Sequence, residues 1–434
     1  MDAKPAAAPL NLRPLLVALC LAVAAAGVAW QAWDMVGPAR QPMLQGWDDS
    51  FYYFWLPSVV IDGDVDFSNQ LEQCRSIDAT MREQAPTLAR TPTGLLENKY
   101  PPGWALANLP FFLMAHAFAP PDATGFEPIY EIAVWLGQLL FAAVGLWLAI
   151  RVVARYVPPT AATSAVLLVW LASPLVYYQS TRLSMSHSQV FTLAVATFAL
   201  GLRIRDSDAR ALHWLLLGFC AALLVVTRNV AAVYLLAPAW LVAPRLRSFR
   251  AVGWLFAGAA LPTAVQVAAW KSLYGSWVVY SYGGERFDFA NPHLWEILFS
   301  SFHGWFYWHP LLLPAVVAFA VWAWPRPEGR GWLASLAIIT VLNAAWPTWW
   351  LGSSFGHRGF EVPIFFAMLG FATLLHAATP RPLFRRALLA GTALAIVWNL
   401  ALFALFLTQR IPRQAPVTYA DAARALAGWF SGTP

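Results

Sequence analysis

Eleven apolar runs punctuate the chain, at residues 12–33, 129–150, 160–178, 188–204, 211–227, 229–243, 251–270, 309–324, 331–347, 359–378 and 387–407. A hydrocarbon core ~30 Å thick takes about 20 apolar residues to cross as a helix, and inside it every backbone N–H and C=O must be satisfied within the chain. Runs of this kind therefore predict a helical bundle. Charged residues are 12% of the chain, against ~25% in an ordinary soluble domain, and 59% of residues are hydrophobic. The chain is read as an all-α polytopic membrane protein of about eleven transmembrane helices, one domain over 1–434 with no separate soluble C-terminal domain.

The basic residues orient the bundle. With the N-terminus inside and the C-terminus out, the short inner connections collect Arg151 and Arg155, then Arg203, Arg205 and Arg210, then Arg245, Arg247 and Arg250, then Arg326 and Arg330, then Arg381, Arg385 and Arg386. That is the bias toward Lys and Arg expected of cytoplasmic loops. Lys4 and Arg13 precede the first run, which is long enough to be an uncleaved anchor rather than a signal peptide. The segment Trp104 to Ala119 is apolar but short, and the Pro120-Pro121-Asp122 loop after it carries no Lys or Arg. Counting it as a span would invert every later basic cluster, so it is expected to lie in or dip into the outer interface. A long first outer loop then runs over 34–128. The net charge of +6 reflects cytoplasmic anchoring and does not indicate nucleic acid. Three cysteines, two of them inside apolar runs, are too few for a disulfide framework.

Candidate chemistry gathers in the outer loops. The first holds Trp47-Asp48-Asp49-Ser50-Phe51-Tyr52-Tyr53, two adjacent carboxylates set in aromatics, and ends in Asn98-Lys99-Tyr100-Pro101-Pro102-Gly103. Either carboxylate, hydrated outside the bilayer, is able to serve as a base, with Asp48 slightly favoured; the plainer role is to solvate a loop. The prolines fix a turn that holds Lys99 near the interface, facing the carboxylates or snorkelling at a helix end. The second loop contains Ser184-Met185-Ser186-His187, where His187 is able to ligate a metal, bind a phosphate or start a helix capped by a serine. Arg228 interrupts a long apolar stretch and either serves the site or marks the membrane boundary. Farther along come Phe299-Ser300-Ser301-Phe302-His303-Gly304 and Trp349-Trp350-Leu351-Gly352-Ser353-Ser354-Phe355-Gly356-His357-Arg358. Indoles offer faces to sugar rings and the Arg358 fork suits phosphate oxygens, although Arg358 could instead pair with Glu361 three residues on. No phosphate-binding Walker loop, dinucleotide fingerprint, Cys-x-x-Cys or His-Glu-x-x-His occurs.

In this order the motifs resemble those of the GT-C superfamily of polytopic glycosyltransferases, and are similar in particular to bacterial protein O-mannosyltransferases and lipid A aminoarabinose transferases. The resemblance implies a GT-C-like bundle with interfacial helices in the first outer loop. It also implies inverting transfer of a hexosyl or pentosyl unit from a polyprenyl-phosphate sugar to a hydroxyl of an envelope glycan, lipid or protein. On that resemblance Asp48 and Asp49 are catalytic, and Arg358, Lys99 and Arg228 bind the donor phosphate. Tyr100, His187, His303, Trp349, Trp350 and His357 contact substrate. A divalent metal beside the carboxylates is allowed by the resemblance, with His187 a ligand, but the spacing shows no firm metal pattern. The expected location is the inner (cytoplasmic) membrane, in contact with its lipid bilayer, with the site facing the periplasm. The competing class is a transporter of a lipid-linked sugar or other small molecule, which should show broken helices and polar groups near the midplane.

Overall fold

The computed structural model describes residues 13–36, 43–44, 46–77, 79–207 and 210–431; Lys4, Leu12 and Asp78 lie outside the described residues. The first apolar run becomes α1 (Arg13–Val36). The first loop then folds as α2 (Trp47–Pro57), α3 (Ser68–Ile77), α4 (Ala79–Gln84) and α5 (Gly103–His116). The bundle continues with α6 (Pro128–Val153), α7 (Pro159–Leu171), α8 (Leu175–Ser180), α9 (His187–Asp206), α10 (Ala211–Thr227), α11 (Leu236–Val242) and α12 (Phe249–Tyr274). After a loop come the short α13 (Leu294–Phe299) and α14 (Trp305–Trp308), then α15 (Leu312–Ala323), α16 (Pro327–Ala345), α17 (Pro363–Ala377), α18 (Pro382–Leu407) and α19 (Tyr419–Ser431). Among the described residues the nearest approach to a sheet is one isolated bridge, Arg90 with Leu96.

Each apolar run is helical in whole or part, and the departures have local causes. By length and composition four helices suffice to cross a membrane, α1 over Arg13–Trp33, α6, α12 and α18; α7, α10, α15 and α17 are shorter apolar helices. The run 160–178 breaks between α7 and α8 because Pro174 cannot continue a helix. The carbonyls freed there are not lost to lipid: Asn399 Nδ2 of α18 donates to Leu171 O at 2.7 Å and to Ser173 O at 3.1 Å. The run 229–243 starts as a 3₁₀ turn, Asn229–Leu235, and becomes α-helical only at Leu236, which places Pro238 in the first turn, where its missing N–H is harmless. It is not one continuous α-helix.

Helices approach most closely where glycine replaces a side chain. A Cβ added to Gly218 of α10 would lie 1.9 Å from Leu255 O of α12, and one on Gly258 of α12 would lie 1.9 Å from Leu215 O of α10. Two glycines thus let the backbones touch reciprocally, the small-residue packing that membrane helices use in place of a hydrophobic driving force. Gly218→Val is expected to pry α10 from α12 and to lower the thermal midpoint of the purified protein, since overpacking typically costs about 1–3 kcal/mol. An unchanged midpoint would mean that this contact contributes nothing to stability.

The placement of α5 is set by contacts at its two ends. Its first residue, Gly103, accepts a hydrogen bond from Gln189 Nε2 near the start of α9 (3.0 Å), and a Cβ there would lie 2.4 Å from the Val226 backbone near the end of α10. At its other end His116 Nδ1 meets the Tyr130 hydroxyl in the first turn of α6 at 2.6 Å. The start of α6, the start of α9 and the end of α10 share one face of an alternating bundle, so α5 begins and ends on that face without crossing. Gln189 also donates to Thr227 Oγ1 at 2.6 Å, and Gln138 Nε2 to Asn108 Oδ1 at 3.1 Å. This polar seam ties the first loop to α6, α9 and α10.

Candidate active site

The two carboxylates sit in the first turn of α2, where the helix dipole favours negative charge. Beyond them the helix is an aromatic wedge. Tyr52 meets Tyr100 edge-on at 5.0 Å between centroids, Trp55 Nε1 donates to Tyr100 O at 3.1 Å, and Asn98 Nδ2 donates to Phe51 O at 3.0 Å. Asn98 Oδ1 in turn accepts from Tyr100 N at 3.0 Å. The Asn98–Gly103 turn is therefore stapled along α2, and Tyr274 from the end of α12 clamps it from the other side by donating to Asn98 O at 3.0 Å.

Adjacent residues on a helix point about 100° apart, and here that separates two roles. Asp49 is fully buried, paired with Arg182 Nη2 at 3.0 Å, and accepts from Ser184 Oγ at 2.7 Å. Gly46 leaves room for this pair, since a Cβ on it would lie 3.1 Å from Arg182 Nη2. Asp48 keeps 26% of its side chain exposed and is paired through Oδ2 with Arg358 Nη2 at 2.9 Å. Its Oδ1 accepts a hydrogen bond from the Tyr100 hydroxyl. Burial raises the proton affinity of Asp48, but Arg358, the Tyr100 hydroxyl, Arg228 and Lys99 together outweigh it and hold the carboxyl below its ordinary value.

All three expected cations thus act on one carboxylate, and two of them have a closer acidic partner elsewhere. Arg358 takes Asp48 itself. Arg228 Nη1 binds Glu361 Oε1 at 2.9 Å, and Lys99 pairs with Glu285 while lying 5.3 Å from the Tyr282 ring centroid. The pairing of Arg358 with Glu361 that the sequence allowed is not made. Residues 358–360 form a 3₁₀ turn before α17 begins, which lets Arg358 reach Asp48 and Glu361 reach Arg228. Glu361 is buried, and the Arg228 guanidinium supplies its counter-charge.

The histidines are buried rather than displayed. His187 begins α9 with no side-chain cap from Ser186, and its Nδ1 stands 3.8 Å from Glu361 Oε2. Ser184, the other expected cap, is engaged by Asp49. His303 adopts a left-handed φ of 64° and its Nδ1 faces Trp350 O at 2.9 Å, while His357 packs on the Phe360 ring. Trp349 and Trp350 both pack on Phe302, and Trp349 also meets His293. Sequence reasoning passed over Arg182, Tyr52 and Tyr282. Tyr52 was legible, one helical turn from Asp48, whereas Arg182 stands in a polar stretch, Ser180-Thr181-Arg182-Leu183-Ser184, that does not announce a buried partner.

A divalent cation does not fit this donor set. Among the described residues no three His, Cys, Asp or Glu side chains gather as a metal site. Asp48 and Asp49 each hold a guanidinium, and a metal placed beside them would face Arg182, Arg358 and Arg228.

The chain shares the polytopic helical fold of two solved structures, and its two carboxylates lie on a helix just beyond the first candidate span. Among solved structures the chain is similar to ArnT from Cupriavidus metallidurans in the apo state, with a TM-score of 0.52 and 14% identity over 96% of this chain and 74% of that one. It is equally similar to ArnT from the same organism bound to undecaprenyl phosphate, with a TM-score of 0.53 and 13% identity over 98% of this chain and 76% of that one. No protein-family model matches the chain, and no curated protein sequence matches it.

Proposed function

We propose that the protein is an inverting glycosyltransferase that moves a hexosyl or pentosyl unit from polyprenyl phosphate to a hydroxyl of an envelope glycan, lipid or protein. One observation carries the reading: a single partly exposed carboxylate, Asp48, stands among Arg358, Arg228 and Lys99 at the mouth of a GT-C-like bundle. A base and a phosphate cradle in one place are what glycosyl transfer from a lipid phosphate requires. That the similar ArnT structure holds undecaprenyl phosphate favours the same class of donor here.

In this step the acceptor O–H gives its proton to the Asp48 carboxylate as its oxygen bonds to the anomeric carbon. The bond from that carbon to the phosphate oxygen breaks on the opposite face, its electron pair leaves with polyprenyl phosphate, and the configuration inverts. Arg358, Lys99 and Arg228 meet the charge that grows on the departing phosphate, and Tyr100 steadies Asp48. Arg203 and Arg205 lie at the far end of α9 from His187, which supports an inner-membrane orientation with the site facing the periplasm.

The test is release of polyprenyl phosphate from synthetic polyprenyl-phosphate sugars by the purified protein, dependent on an acceptor and read by mass spectrometry. No release across a panel of hexosyl and pentosyl donors would sink the reading. Because guanidinium groups already hold both carboxylates, transfer is expected to persist after exhaustive chelation; loss on EDTA treatment with recovery on adding a divalent cation would overturn the metal-free step.

A further inference from the structure

Behind the Asp48 cluster lies a second polar pair that the transfer step does not use. Glu361 is buried and its Oε1 is taken by Arg228, but Oε2, equally shielded, has no hydrogen-bond partner. Facing it at 3.8 Å is His187 Nδ1, too far for a direct bond. The imidazole is 1% exposed, neither ring nitrogen has a partner, and the Tyr178 ring covers it at 4.2 Å between centroids. Buried polar atoms are rarely left unsatisfied, because each costs about 1–3 kcal/mol without a partner. Two of them opposed across one gap describe a receptor for hydroxyl groups.

The position says which ligand. Arg228 binds Glu361 on one side and acts on Asp48 on the other, so the pair adjoins the cradle proposed for the phosphate. Phosphate and a sugar carboxylate bring only acceptor oxygens, and the ionised Glu361 Oε2 has no proton to donate to them. Arg228 already balances that charge, which leaves little attraction for a sugar ammonium. What remains is a neutral polyol edge, with one hydroxyl donating to the carboxylate and its neighbour bonded to the imidazole.

We propose that Glu361 and His187 are recognition residues that grip two adjacent ring hydroxyls of the donor sugar, making the protein selective for a neutral sugar with a free vicinal diol. The inference rests on the proposed transfer from a polyprenyl-phosphate sugar, deepening it to a substrate class. A site built to hydrogen-bond a hydroxyl discriminates sharply against an analogue lacking it, because its buried groups are then left unpaired.

The experiment measures binding as well as transfer, so that the two readings fail separately. Full-length protein in nanodiscs is titrated by tryptophan fluorescence with polyprenyl phosphate, a polyprenyl-phosphate hexose, each of its monodeoxy forms and the matching uronic acid. The wild type is expected to lose about 10–100-fold in affinity at one adjacent pair of deoxy positions, the value of a hydrogen bond to a charged group, and to reject the uronic acid. His187→Gln should bring the deoxy-to-parent ratio toward one while leaving polyprenyl phosphate affinity within about threefold, and Glu361→Gln should lower the ratio likewise while also releasing the Arg228 guanidinium from its partner. His187→Gln keeps the Arg228–Glu361 pair, so it remains informative if Glu361→Gln fails to fold. Uniform tolerance of every deoxy donor by the wild type overturns the proposal, as do variants that keep the wild-type ratio. Selective binding without release of polyprenyl phosphate would instead refute the transferase reading and leave the recognition site standing.

Discussion

Arg358→Ala is expected to lower transfer from a polyprenyl-phosphate sugar by at least about 100-fold, with Arg358→Lys recovering only part of the loss. Two effects add. The guanidinium now bound to Asp48 at 2.9 Å has five donors in a planar fork and is able to hold the carboxylate and a phosphate oxygen together, whereas an ammonium is a point charge. Arg358 is also the largest charge opposing the burial of Asp48. In the wild type that carboxyl is held low, so it is ionised at neutral pH and kcat/KM falls only as pH drops through the depressed value. Without Arg358 the burial contribution dominates, the proton affinity rises, and the acid limb of kcat/KM moves to higher pH. Donor saturation curves and pH profiles of the three proteins provide the check. A limb that stays in place, with donor saturation unchanged in Arg358→Ala, would remove Arg358 from both roles.

The two adjacent aspartates are expected to fail differently. Asp48→Asn should retain fold and membrane abundance but lose ~10²–10⁴ in turnover, the usual worth of a positioned general base. Asp49→Asn should instead unfold at lower temperature, because it leaves the largely buried Arg182 guanidinium without its counter-charge. Removing one partner of a buried pair typically costs about 3–5 kcal/mol, whereas replacing both by apolar residues is often neutral. The double variant Asp49→Leu, Arg182→Met should therefore regain much of the lost thermal midpoint. Turnover and thermal melts of the same detergent preparations separate the roles. A stable, inactive Asp49→Asn beside an active Asp48→Asn would exchange them.

The helices were legible because lipid imposes long apolar runs. The site residues were legible as types but not as pairs. Arg358 and Glu361 are three apart, which on a regular helix would make them neighbours; the 3₁₀ turn over Arg358–Phe360 gave each a different partner. Asp48 and Asp49 looked equivalent because sequence does not reveal the phase of α2 against the bundle. Arg182 was passed over because its need for Asp49 is visible only once both are buried. The broken run at 172–174 could be suspected from Pro174, but not the rescue of its carbonyls by Asn399 from the far end of the chain.

The ion pairs around the site carry a further consequence for how substrate arrives. Asp48 with Arg358, Asp49 with Arg182, Glu361 with Arg228 and Glu285 with Lys99 match carboxylates and cations one to one. Paired charges cast little field at a distance, so this mouth does not steer an anionic headgroup from afar, in contrast to sites lined by one sign of charge. A lipid donor of the kind proposed needs no steering, since a bilayer would confine its search to two dimensions. Its capture should then vary little as the Debye length shrinks from about 30 Å at 0.01 M salt to about 8 Å at 0.15 M. Binding becomes an exchange of partners at contact, in which the phosphate displaces a carboxylate from a cation.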